Sequence, residues 1–87
     1  MNGLEEIVET WLTTKNIYPF SVLYSKDPQF LKISLFLKND VDELLDITGY
    51  KTMCDNSGVQ IFPETNTILY TGVGLINFLR YVDNQTF

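Results

Sequence analysis

The stretch that most resembles a chemical site lies near the end of the chain and reads TILYTGVGLINF. A β-rich run, Thr67–Thr71, leads into Gly72 and Gly74 and then into a helical pattern, an order of elements that cradles phosphate in several folds. A dinucleotide fingerprint needs a third glycine where the chain has Asn77, and a P-loop needs Gly-Lys-Ser/Thr at the helix start. The glycines are therefore predicted to form a strand-to-helix joint, where the backbone turns sharply or approaches a neighbour closely.

Catalytic and metal-binding chemistry finds little support elsewhere. The chain contains no histidine, which excludes serine–histidine and cysteine–histidine catalysis, histidine-ligated zinc and an imidazole pH switch. Its single cysteine, Cys54, has no CxxC partner and is predicted to be a buried, inert thiol beside Met53. The DNSG turn at 55–58 lacks the alternating carboxylates of a calcium loop. We expect no catalytic residues, no metal, no cofactor and no enzymatic activity.

Acidic residues form the densest charge on the chain, within two turns of a predicted helix: Asp40, Asp42, Glu43 and Asp46. Such a group is ordinarily a solvated helix face, and its functional interpretation is an electrostatic docking patch for a basic partner surface. The balance of 11 acids against 6 bases disfavours direct binding to nucleic-acid phosphates. The only basic counterpart is a small stripe predicted along a strand, formed by Lys26, Lys32 and Lys38.

Aromatic residues make up 14% of the chain, more than one small core is expected to bury. Interfaces are enriched in tyrosine, tryptophan and phenylalanine. We expect four tyrosines to reach the surface, namely Tyr18, Tyr24, Tyr50 and Tyr81. The predicted partner-binding site combines the acidic group with three of them: Asp40, Asp42, Glu43, Asp46, Tyr24, Tyr50 and Tyr81.

Hydrophobic spacing predicts a helix at each end of the chain. The first helix is predicted to be capped by Asn2 and to end at Asn16 in a left-handed conformation. Its apolar stripe consists of Leu4, Ile7, Val8, Trp11 and Leu12. The last helix begins at about Gly74, and Thr71 is available as its cap. The side chains that it directs toward the core are Leu75, Phe78, Leu79 and Val82.

Between these helices the pattern predicts two hairpins and a middle helix. Phe20–Ser25 pairs with a strand in which Leu31, Ile33, Leu35 and Leu37 alternate with polar residues, Phe36 being the one exception. The middle helix is capped by Asn39 or Asp40 and ended by Gly49. A second hairpin, YKTMCDNSGVQIF, turns at 55–58, and a third strand follows at Thr67–Thr71.

The segment FSVLYSKDPQFLKISLFLK resembles the first strand and helix of glutaredoxin-like domains. The cysteines that define that site are replaced by Asp27, Pro28 and Gln29, so the resemblance carries over no activity. It implies an alternative fold and function, a degenerate thioredoxin-like domain with a helix at 27–38 that binds a small molecule or scaffolds a larger complex.

The preferred fold is a single α+β domain spanning 1–87, a two-layer sandwich with a mostly antiparallel sheet and helices on one face. Its element order is α-β-β-α-β-β-β-α. Sheet edges at Phe20–Ser25 or Thr67–Thr71 would allow a homodimer.

The whole chain indicates a small acidic protein-binding domain that acts as an inhibitor, adaptor or regulator by occupying a partner surface. One cysteine and the lack of a long apolar run favour a cytoplasmic protein without membrane association. The absence of alanine and the single arginine are typical of an AT-rich gene. A narrower expectation is therefore a bacteriophage or mobile-element inhibitor of a host nucleic-acid enzyme.

Overall fold

The computed structural model describes residues 3–48 and 58–86, with the side chains of 84–86 excluded. Its elements are α1 (Gly3–Thr14), β1 (Pro19–Lys26), β2 (Gln29–Leu35), α2 (Lys38–Thr48), β3 (Val59–Phe62), a 3-10 turn (Pro63–Thr65), β4 (Thr67–Thr71) and α3 (Gly72–Thr86). The α+β two-layer sandwich is confirmed, and the element order agrees with the prediction over the described residues. The predicted strand ahead of Asp55, the stop at Gly49, the cap at Asn2 and the thiol of Cys54 lie outside them.

The four strands form an antiparallel sheet in the order β1-β2-β4-β3. β4 is therefore an inner strand with a neighbour on each side. The expectation that Thr67–Thr71 could pair with a second copy is wrong for that reason. Phe20–Ser25 does lie in an outer strand of the described sheet.

The three helices cover one face of the sheet. Alternation along β2 turns Leu31, Ile33 and Leu35 toward them, with exposures of 0–3%. The helices contribute their apolar stripes to the same core, which includes Val8, Trp11, Leu12, Val41, Leu44, Leu45, Leu75, Phe78 and Val82. We call this side of the sheet the covered face.

The thioredoxin-like alternative is wrong, because Gln29–Leu35 is a strand paired on both sides and not a helix. The hairpin turns at Asp27–Pro28, where Lys26 pairs with Gln29. This turn also disperses the predicted basic stripe: Lys26 lies in β1, Lys32 in β2 and Lys38 in α2.

Helix boundaries differ from the predictions by one turn or less. Asn16 is left-handed as predicted, with φ 61°. α2 begins at Lys38, so Asn39 and Asp40 lie in its first turn and do not cap it. α3 begins at Gly72, two residues before the predicted start, because Gly72 itself makes the sharp turn with φ 51°.

The close backbone approach at the strand-to-helix joint belongs to Gly58, at the entrance to β3. A Cβ atom on Gly58 would lie 2.0 Å from the Thr71 carbonyl oxygen and 2.6 Å from the Gly74 nitrogen. The Thr71 amide donates a 2.7 Å hydrogen bond to the Gly58 carbonyl oxygen. Gly58 thus occupies the space against the first turn of α3, which supports a joint and disfavours an anion cradle.

Candidate functional site

The opposite side of the sheet is not covered by any of the described helices, and we call it the open face. In one row across the strands, Leu23 pairs with Lys32 and Lys32 with Leu69. In the next row, Ser34 pairs with Thr67 and Thr67 with Phe62. Phe30 lies beyond these rows, next to Thr71 of β4.

A shallow groove of about 660 Å³ runs across this face. Phe30, Leu69 and Phe62 give it an apolar lining, and Lys32 is its one charged residue. Lys32 is exposed and forms no ion pair with any residue that the structure describes. Few charges together with aromatic side chains are typical of the centre of a protein interface.

The hydroxyl groups at one end of the groove hydrogen-bond to one another. The Thr65 hydroxyl donates to Thr67 Oγ1 at 2.9 Å, and the Thr67 hydroxyl donates to the Thr65 carbonyl oxygen at 3.0 Å. Ser34 Oγ lies 2.9 Å from Thr67 Oγ1. Because these polar groups already have partners, a molecule that covered them would incur little desolvation cost.

At the end of the β1–β2 hairpin farthest from its turn lies a group of exposed apolar side chains, which we call the aromatic end. It consists of Tyr18, Phe20, Phe36 and Leu37, with exposures of 54%, 69%, 61% and 59%. The rings of Phe20 and Phe36 meet edge to face, with centroids 5.3 Å apart. These are the most prominent surface aromatics among the described residues.

Backbone features set the positions of Phe20 and Phe36. The register between β1 and β2 shifts between Pro19 and Ser21, so Phe20 is the extra residue of a β-bulge, a feature that redirects a side chain. For Phe36, the other residue of the pair, the carbonyl oxygen accepts a 3.3 Å hydrogen bond from the Asn66 side-chain amide. The Leu35 amide donates to the Asn66 carbonyl oxygen at 2.9 Å.

The predicted acidic group lies on α2, where Glu43 and Asp46 are exposed and Asp40 and Asp42 are half-buried. None of the four carboxylates forms an ion pair with a described residue. α2 packs onto the covered face through its buried apolar side chains, so Glu43 and Asp46 point away from the sheet, while Asp40 and Asp42 lie at the sides of the helix. Only its first turn adjoins the aromatic end, where the Asp40 amide donates to the Leu37 carbonyl oxygen at 3.1 Å.

The structure places Tyr24 and Tyr81, two of the predicted tyrosines, against α1 and not beside this acidic helix. The Tyr24 amide donates to Glu5 of α1 at 2.8 Å, and the Tyr81 ring lies edge to face with Trp11 of α1 at 5.8 Å. Both tyrosines are half-buried against the core. Tyr50 lies outside the described residues, and Tyr18 is exposed as expected.

Sequence reasoning missed Phe20 and Phe36 as surface residues. The available signal was the break in alternation at Phe36, an apolar side chain on the polar side of an otherwise regular strand pattern. For Phe20 the sequence holds no comparable signal, because its exposure follows from a bulge in the pairing of two strands.

Among the described residues, no group of three or more acidic or thiol side chains could hold a metal ion. None of the described helices has the length and apolar character needed to cross a membrane. No protein-family model matches the chain, and no curated protein and no solved structure is significantly similar to it.

Proposed function

We propose that this chain is a small, non-enzymatic protein-binding domain that acts as an inhibitor, adaptor or regulator by covering a partner's surface. The observation that carries the proposal is the exposed Phe20–Phe36 pair, whose backbone positions are set by the bulge and the Asn66 hydrogen bond. Aromatic side chains are enriched in protein interfaces, and they bury a large area at a small cost in side-chain entropy.

The aromatic end and the adjoining open face would supply the apolar centre of the interface. The hydroxyl groups of Ser34, Thr65 and Thr67 are already hydrogen-bonded, and Lys32 is the one charge of the groove to be accommodated. Stacking of single-stranded bases on the same aromatics would need a cationic groove. A lone lysine in a chain of net charge −5 therefore favours a protein partner.

The acidic side chains of α2 have a different proposed role, which is to steer a basic partner surface toward the domain. Unpaired surface charges accelerate encounter over distances of about 10 Å, and salt screens them. The amino-acid composition, which is typical of an AT-rich gene, supports a narrower proposal. The chain would be a cytoplasmic phage or mobile-element protein that acts on a nucleic-acid enzyme of the host, whose surface would be basic.

The proposal is tested by affinity capture from the source cells and their host, comparing the wild type with Phe36→Ala. A specific partner should be captured by the wild type and lost from the variant, with a dissociation constant raised at least about tenfold. Val73→Ala is the matched control, because Val73 is equally exposed at 62% but lies on α3. If every captured protein binds the two variants equally, the aromatic end is not the binding site.

The steering role is tested separately with Asp42→Lys, Glu43→Lys and Asp46→Lys combined. Association with the captured partner should slow several-fold and become less sensitive to salt, while the dissociation rate stays near its wild-type value. An unchanged affinity with unchanged salt dependence would show that the acidic helix is only a solvated face.

A further inference from the structure

A second apolar depression, independent of the proposed partner site, lies between α1 and α3. Its volume is about 410 Å³, and its apolar lining includes Leu4, Ile7, Ile76 and Leu79. Ile7 and Ile76 are 41% and 49% exposed, so this part of the two helices has no apolar cover from the described residues.

The rim of this groove carries one positive and one negative side chain, Arg80 and Asp83, both exposed. They are three residues apart on α3 and therefore lie on neighbouring parts of the helix surface. Neither forms an ion pair with a described residue. Arg80 is the only arginine of the chain.

The charge balance of this rim suits a second copy of the same chain. Two copies of a chain with net charge −5 repel each other over most of their surfaces. A rim with one cation and one anion is self-complementary under two-fold symmetry. The cation of one copy can then face the anion of the other, and the same contact is repeated on the other side of the axis. The occupant with matching apolar area and charge is a second copy of the same surface.

We propose that the α1–α3 groove is a homodimer interface, in which Arg80 of each copy faces Asp83 of the other across a two-fold axis. The edge of β1 is a poorer dimer contact, since the Glu5 carboxylate already accepts the hydrogen bond of the outward-facing Tyr24 amide at 2.8 Å. Charged side chains on strand edges are a common block against strand pairing. The helical dimer leaves the aromatic end and the open face available.

Sedimentation equilibrium from low micromolar to near millimolar concentration tests this dimer. The wild type should show a reversible monomer–dimer equilibrium, and Ile76→Asp should remain monomeric. Val73→Asp is the matched control, since Val73 lies on the same helix, is 62% exposed and does not line the groove. A wild type that stays monomeric throughout, or a dimer equally affected by both substitutions, overturns the proposal.

A charge exchange tests the two-fold arrangement. Arg80→Asp alone and Asp83→Arg alone should each weaken dimerisation about tenfold, because symmetry breaks two ion pairs at once. The double variant restores both pairs with reversed polarity and should dimerise close to the wild-type level. A double variant as weak as the single variants would show that Arg80 and Asp83 do not face each other.

Discussion

The two faces of the same four strands differ in what they contribute to the protein. On the covered face, Leu31 and Ile33 are fully buried beneath the helices. One residue along, Lys32 is exposed on the open face, and Ser34 is tied into a hydroxyl network. The covered face holds the fold together, whereas the open face carries an exposed charge and hydrogen-bonded hydroxyl groups, and it is the surface proposed to meet a partner.

With the proposed interface on the open face, this difference would make stability and binding separable along a single strand. Successive side chains of β2 point to opposite sides, so a substitution at one position can affect folding while one at its neighbour changes only the proposed binding surface. Three comparisons between matched substitutions test how complete that separation is.

The largest loss of stability is expected at Gly58. This residue packs against the strand-to-helix joint at Thr71–Gly74 and so positions β3, which forms one edge of the described sheet. Gly58→Ala should destabilise the fold by more than about 3 kcal/mol, because the new Cβ meets backbone atoms that cannot move aside. Gly72→Ala should cost only about 1–2 kcal/mol, since its φ is also positive but nothing lies within 4 Å. Denaturant unfolding of both variants measures the difference in the free energy of unfolding. Equal losses would mean that the backbone around Gly58 can move to make room for a Cβ atom.

The same substitution on opposite faces gives the most direct comparison. Leu31→Ala on the covered face should cost about 3 kcal/mol, because it leaves a cavity in the core. Leu23→Ala on the open face should cost less than about 1 kcal/mol, since Leu23 is already 44% exposed. Chemical denaturation provides the measurement, and comparable losses would show that the open face also has a structural role.

A smaller effect is expected where α1 reaches the edge of the sheet. Glu5→Ala should cost about 1 kcal/mol and accelerate amide exchange at Tyr24, because the amide loses its acceptor. Glu6→Ala is the control: it removes a carboxylate from the same helical turn, where Glu6 is exposed and forms no hydrogen bond with a described residue. If Tyr24 exchanges at the wild-type rate in both variants, Glu5 does not protect this edge.

Much of the fold could be predicted from the sequence, because local patterns carry it. The stripe from Leu4 to Leu12 and the alternation from Leu31 to Leu35 each report the period of their own element. Asn16 stops α1 through its own backbone preference. Helix starts were less accurate, since α2 begins at Lys38, ahead of the expected caps Asn39 and Asp40, and α3 begins at Gly72 rather than at Gly74.

The candidate site was predicted less well, because a surface combines residues that are distant along the chain. Of the acidic residues of α2, Glu43 and Asp46 are exposed as expected, whereas Asp40 and Asp42 are half-buried. Tyr24 and Tyr81 were expected beside them, yet both pack near α1, and Phe20 and Phe36 form the exposed pair instead. Aromatic composition indicated that some rings would remain at the surface without identifying them.

By itself, then, the sequence determined the elements, the antiparallel character of the first hairpin and the apolar side of each helix, since these depend on residues a few positions apart. It also excluded histidine-dependent chemistry. Only the tertiary structure decided that β4 lies inside the sheet, that Gly58 closes on the joint at Gly74, and that the acids of α2 face away from the open face. Those relations follow from strand order and layer packing, which bring together residues that no local spacing connects.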